Sequence, residues 1–210
     1  MSVARILWPA IIFALWMSPV SAATPSFDCT KAESSAEKLV CADEDLAKLD
    51  REVARLFTLA RKGPNMTSER QAALIGTQRG WIKGRDDCWK DSDVRACVFD
   101  NYVIRIHELR QGYADARTQD ASGISAGPVV VECPNFGALI SATFVRTDLP
   151  VVYLAWNDMS FVLTQAPSGS GARYLAKYGK GEILFWEKGR TALFEIPGQS
   201  QLECQIKQPG

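Results

Sequence analysis

The 210-residue sequence has a single histidine, no CxxC pair and no excess of either charge sign, with 24 basic and 24 acidic residues. Each absence removes a class of function. His107 stands alone in a helical pattern away from the cysteines, which leaves neither a zinc ligand set nor a nucleophile–histidine–acid triad. No glycine-rich nucleotide loop occurs, so neither an enzyme nor a cofactor is expected. Balanced charge argues against nucleic acid or a membrane surface as the main partner. The length suits one domain or two small ones.

What is present begins with an export signal. Residues 1–23 carry one cation, Arg5, then an apolar stretch from Ile6 to Trp16, then small residues through Ala22 and Ala23. This order is that of a secretory signal peptide cleaved after Ala22 or Ala23. The apolar run is too short to span a bilayer comfortably, and no cysteine near the cleavage point offers a site for lipid. The expected product is periplasmic or secreted, without a stable membrane anchor. All six cysteines (Cys29, Cys41, Cys88, Cys97, Cys133, Cys204) follow the signal, and an even count in an exported chain favours disulfides.

From about Thr30 to Tyr113 the apolar period is helical. Leu39, Ala42, Leu46, Leu49, Val53, Leu56 and Ala60 recur at spacings of three and four, the stripe of one long helix. Ser34 with Glu37, or Thr30 with Glu33, supplies a capping box at its start, and Gly63-Pro64 ends it with glycine as a left-handed cap. A second helix opens at Ser68 and a third near Ser92. Pairing the first two as an antiparallel hairpin brings Cys41 beside Cys88 and leaves Cys29 for Cys97, although sequence alone permits other pairings.

Residues 114–128 lack aromatics and are rich in Ala, Ser, Gly and Asp, a linker composition. Beyond it the period becomes two, in short runs: Val129–Val131, Ala138–Arg146, Val151–Trp156, Ser160–Thr164, Tyr174–Tyr178, Ile183–Trp186, Ala192–Ile196 and Leu202–Ile206. The expected fold class is therefore α + β in two domains. Residues 24–113 form a small disulfide-linked three-helix domain and residues 129–210 an antiparallel β-barrel, with Cys133 and Cys204 stapling the terminal strands.

The most unusual segment is Ser168-Gly169-Ser170-Gly171-Ala172-Arg173-Tyr174, followed after Gly179-Lys180-Gly181 by Phe185-Trp186-Glu187-Lys188-Gly189. SGxxY followed by WxKG, with Cys133, Cys204 and the apolar Phe161-Val162-Leu163, resembles the membrane-bound and periplasmic inhibitors of C-type lysozyme. The resemblance implies that Ser170 and Lys188 reach into the lysozyme cleft, flanked by Ser168, Arg173 and Tyr174. Here the hairpin between Tyr174 and Lys188 is slightly longer than that family leads one to expect. The chemistry fits. Lysozyme works with two carboxyl groups, one of them held protonated as the acid. An ammonium placed between them favours ionisation of both and blocks the sugar site. A compact lysine head suits this role better than a planar guanidinium.

The helical part has a resemblance of its own. Phe27-Asp28-Cys29, Cys41-Ala42-Asp43, Leu49-Asp50, Gln78 with Trp81, Arg85-Asp86-Asp87-Cys88, and Cys97 leading to Tyr102, Arg105 and Leu109 are similar to the LprI-type domain, also associated with lysozyme inhibition. Asp43, Asp50, Arg85 and Asp86 are candidates there for recognition or, more simply, for capping and buried ion pairs. The leading expectation is a lysozyme inhibitor that protects peptidoglycan. The alternative is a non-inhibitory module that binds envelope glycans or proteins through aromatics such as Trp186 and Tyr178.

Overall fold

A computed structural model describes residues 24–117 and 122–207 of the chain. The expected signal segment lies outside the described residues, as does part of the expected linker. Four α-helices come first: α1 (Ser35–Ala42), α2 (Glu44–Lys62), α3 (Ser68–Asp86) and α4 (Val94–Gly112). Eight strands follow: β1 (Ser125–Glu132), β2 (Leu139–Val145), β3 (Val151–Trp156), β4 (Met159–Ala166), β5 (Ala172–Tyr178), β6 (Gly181–Lys188), β7 (Thr191–Glu195) and β8 (Leu202–Lys207).

Of the two capping boxes open in the sequence, the one at Ser34 forms. The Glu37 N–H donates to Ser34 Oγ (3.0 Å) and the Ser34 N–H donates to the Glu37 carboxylate (3.1 Å). The apolar stripe does not run through one helix, however. Asp43 takes an extended conformation, ends α1 and starts α2, its side chain accepting from the Leu46 N–H. Arg95 fixes that carboxylate at 2.7 Å. A short acidic side chain that satisfies an orphan N–H competes with helix continuation, so three expected helices become four. Buried Leu46, Leu49, Val53 and Leu56 then anchor α2 against α4, each contributing about 1.5–3 kcal/mol.

The break at Asp43 also undoes the expected cysteine pairing. Cys29 is bonded to Cys41 and Cys88 to Cys97, not Cys29 to Cys97 and Cys41 to Cys88. Only a straight first helix would carry Cys41 to Cys88. Instead α1 folds back beside the short 3₁₀ turn Cys29–Lys31, and the 3₁₀ turn Asp87–Lys90 bends Cys88 towards the first turn of α4. These staples therefore brace local bends, closing separations of 12 and 9 residues, whereas Cys133–Cys204 spans 71. On the chain-entropy account the longest loop constrains the unfolded chain most. Gly63 differs from expectation as well. Its φ of −64° is not left-handed; a side chain there would collide with the Asp115 carboxylate, so the glycine serves close approach.

The strands form a closed antiparallel barrel in which each pairs with its sequence neighbour and β1 closes on β8. All eight expected strands are present, because strict alternation leaves little freedom about which side chains face inward. Val131, Ile140, Val152, Leu154, Leu163, Ile183, Phe185 and Phe194 fill the interior. Closure leaves no exposed edge.

The junction between helices and barrel is packed. Ser125–Pro128, expected as linker, already belong to β1, and Val145, Val151 and Tyr153 join the helical core. Arg110 on α4 is fully buried and donates to the carbonyls of Gly127 (2.6 Å) and Ala116 (3.2 Å) and to Ser125 Oγ (3.3 Å). Ser125 Oγ in turn donates to the buried Glu52 carboxylate, which Arg55 pairs at 2.8 Å. Beside this network His107 Nδ1 meets Thr143 Oγ1 at 2.8 Å, and its ring lies 4.6 Å from that of Tyr153. Lys48 bridges to Asp148 at 2.7 Å.

Two outcomes follow. Truncating Arg110 to Ala takes the donor from the buried Gly127 and Ala116 carbonyls, so urea unfolding should show a loss of about 2–5 kcal/mol; wild-type stability would discount the network. Burial pulls the His107 pKa down from 6.5 to about 4. The unfolded chain therefore binds a proton that the folded one refuses, and stability is full above pH 6.5 and falls towards pH 4. The difference between wild type and His107→Gln, measured by denaturation across that window, should reach on the order of 3 kcal/mol. A constant difference would refute the assignment.

Candidate functional site

The loop between β4 and β5 and the hairpin between β6 and β7 lie at the same end of the barrel. The register fixes this, since Ala172 pairs with Glu187 and Lys188 with Thr191. Ser168, Ser170 and Lys188, three of the residues singled out in the sequence, are exposed there.

Each part of the loop has a local cause. Ser168 Oγ donates to the Ser170 carbonyl (2.7 Å) and accepts from the Ser170 N–H (3.3 Å), closing a small turn. Ser168 thus shapes the loop from within. The Ser170 hydroxyl makes no hydrogen bond among the described residues, so it remains available to a partner. Gly171 has φ +65°, and a Cβ there would run into the Glu187 carbonyl. Only glycine lets the loop lie directly against β6.

Alternation along β5 and β6 sorts the remaining residues. Tyr174 and Phe185 face one another inside the barrel, with Tyr174 only 6% exposed and its ring 6.5 Å from that of Phe185. Burial, with the Glu187 carboxylate nearby, pushes its hydroxyl up to about 12. The structure therefore separates Tyr174 from the exposed residues it was grouped with; it anchors the start of β5 from the core. Arg173 is half-buried and faces outward opposite Trp186.

Glu187, between Trp186 and Lys188, points inward and is half-buried, which raises its pKa. Strand alternation thus keeps this carboxylate from neutralising Lys188. Lys188 forms no ion pair among the described residues. Its ammonium lies over the Trp186 ring, 3.8 Å from the centroid. Trp186 also donates its indole N–H to the Ser170 carbonyl at 2.8 Å. The resemblance implies no role for Trp186 in the lysozyme site. The WxK spacing carried the missing signal, because residues two apart on a strand share a face.

The helical candidates are engaged in their own unit. Asp43 caps α2 and holds Arg95. Asp50 is buried and accepts from the Tyr102 hydroxyl (2.9 Å) and the Ser26 N–H (2.6 Å). Arg85, also buried, donates to the Tyr102 hydroxyl (2.9 Å) and to Asp86 (2.8 Å), and Asp86 accepts from Ser34 as well. A cavity of about 360 Å³ opens beside Asp50, Trp81 and Arg85. Among the described residues no cluster of three or more His, Cys, Asp or Glu is placed to hold a metal ion. No described helix is long and apolar enough to cross a membrane.

Comparison with known proteins joins these two halves. The family described as membrane-bound lysozyme-inhibitor of c-type lysozyme matches residues 132–203, and that described as lysozyme inhibitor LprI matches residues 29–121. Lipoprotein LprI of Mycobacterium bovis is 32% identical over 164 residues, covering 77% of this chain and 75% of the relative. The chain belongs to the LprI family. Lipoprotein LprI of Mycobacterium tuberculosis matches equally, at 32% over 164 residues. A match of that length exceeds either family segment, so the similarity takes in residues of both halves of the chain. No solved structure matches the chain.

Gly171→Ala tests the loop geometry. Forcing a Cβ into a left-handed position against the Glu187 carbonyl should cost about 1–3 kcal/mol in chemical denaturation. Gly169→Ala, where the added Cβ meets nothing within 4 Å, is the control and should change stability by less than about 0.5 kcal/mol. Equal effects of the two substitutions would dismiss the close approach.

Proposed function

We propose that this LprI-family protein inhibits C-type lysozyme by inserting Lys188 and Ser170 into the active-site cleft, and that it acts as an inhibitor and not as an enzyme. The observation that carries the reading is an exposed lysine without an ion pair and a serine hydroxyl without a hydrogen bond, both among the described residues, on neighbouring loops that Trp186 touches together. Membership of a family described by lysozyme inhibition supports the same reading.

The chemistry runs through charge. Lysozyme needs one carboxyl protonated and the other ionised. An ammonium delivered between them lowers the pKa of both and removes the proton donor. At a few ångströms in a partly desolvated cleft such an ion pair is worth on the order of a few kcal/mol before desolvation costs. The Ser170 hydroxyl donates to a carboxylate oxygen, and Arg173 on the outer face supplies a second cation at the rim. Tyr174 and Ser168 contribute by holding the loop, not by contact.

The partition into a helical unit (residues 24–113), a connecting segment (residues 114–128, the last four of them within β1) and a barrel (residues 129–210) belongs to this reading, as do signal cleavage and release to the periplasm or exterior. Lysozyme and its peptidoglycan substrate meet in that compartment.

The test is a cell-wall clearance assay with hen-type lysozyme and the mature protein. Wild type at micromolar concentration should inhibit; Lys188→Ala should weaken inhibition by about tenfold or more and Ser170→Ala by less. Full lysozyme activity in the presence of wild type would end the inhibitor reading. Undiminished inhibition by both variants would remove these two residues from it.

A further inference from the structure

We infer that Trp186 is the positioning residue of this site: it holds the serine loop through its indole N–H and stores the Lys188 ammonium on its ring until carboxylates of the partner take it. The inference rests on the insertion reading and adds a residue that the sequence motif alone did not mark as functional.

Three observations on the outer face of the barrel converge on one side chain. The indole N–H donates 2.8 Å to the Ser170 carbonyl, across the β5–β6 pairing. The Lys188 Nζ lies 3.8 Å from the ring centroid, close for a cation–π contact. Gly171, in a left-handed conformation and without a Cβ, brings the loop directly against the Glu187 carbonyl. One ring therefore fixes the relative position of the two groups that must enter the cleft together.

The neighbours explain why the ammonium stays on the ring. The outward row at this level reads Arg173 on β5, Trp186 on β6, Leu193 on β7 and Glu203 on β8. Glu203 enters that row only beyond Leu193, two strand spacings of about 4.8 Å from Trp186, and forms no ion pair with Lys188 among the described residues. Glu187, the nearest carboxylate in sequence, faces inward. Glu203 lines the same recess of about 230 Å³ as Lys188, yet the ring is the surface that the ammonium touches, and it is a weak one for an exposed cation. A weak holding contact suits the task. It limits the rotamers of a long flexible side chain in the free protein, yet yields readily to a carboxylate pair.

The experiment reads the free protein first. In ¹H–¹³C spectra the Lys188 ε-methylene, identified by its loss in Lys188→Ala, should be displaced upfield by the indole ring current. In Trp186→Leu it should return to the position of a solvated lysine. Trp186→Phe keeps a ring without the N–H and should retain part of the displacement, and it remains informative if the leucine variant folds poorly. Adding lysozyme should move the wild-type signal off the ring. In the inhibition assay Trp186→Leu should weaken binding by about tenfold, and its combination with Lys188→Ala should cost less than the two single losses combined, because only the hold on the serine loop is left to lose. An undisplaced Lys188 signal in wild type, or fully additive losses in the double variant, overturns the inference. Because the spectrum of the free protein needs no lysozyme, a protein that shows the displacement but fails to inhibit would sink the insertion reading and leave the Trp186–Lys188 contact standing. A protein that inhibits with an undisplaced lysine would do the reverse.

Discussion

A guanidinium sealed away from water at the joint between helices and barrel is the constraint on which the remaining geometry depends. Arg110 is fully buried, and an enclosed charge is tolerated only when polar groups replace its hydration. The acceptors come from the chain that links the two units: the Ala116 carbonyl just after α4, the Gly127 carbonyl and the Ser125 hydroxyl in β1. Satisfying Arg110 therefore means bringing the start of β1 against α4. Glu52 enters through Ser125 and ties α2 to the same point. Once β1 is placed, closure of the barrel sets every later strand, including the pair that carries Ser170 and Lys188.

What could be read from the sequence follows the strength of local rules. The strands were legible because a slip of one residue would turn every apolar side chain to the wrong face. The same rule holds at the site. It places Tyr174 opposite in sense to Arg173, hence in the core, and it places Trp186 and Lys188 together on the outside. The helices were legible as stripes but not as breaks, because the three–four spacing passes through Asp43 without interruption. The cysteine pairing failed for the same reason. Two straight helices would bring Cys41 beside Cys88, whereas the bends that bring Cys29 to Cys41 and Cys88 to Cys97 are made by capping residues and 3₁₀ turns. The Arg110 network was invisible in sequence, since nothing local marks an arginine as buried.

The two units put their polar residues to different use. In the helical unit Asp43, Asp50, Arg85 and Asp86 are spent on caps and on the Tyr102-centred network. In the barrel the cation at the tip is left without an ion pair among the described residues while the neighbouring carboxylate is turned inward. The contrast separates polar groups that hold a fold from those that a fold holds out. A charged group kept from its nearest opposite charge by strand alternation has its Coulomb energy still to gain.

That separation bears on how tightly such a tip can bind. Association loses side-chain freedom, about 0.5–1.5 kcal/mol for each long side chain immobilised. A lysine resting on an indole has surrendered part of that freedom beforehand. The contact it gives up is worth about 0.5–1 kcal/mol at an exposed site, while an ion pair in a desolvated cleft offers several times as much before its own desolvation. The exchange is favourable only if the serine loop does not have to move as well. Here the Trp186 N–H, the Ser168 turn and Gly171 each pin that loop independently of Lys188. The ammonium can leave the ring while the loop keeps its shape.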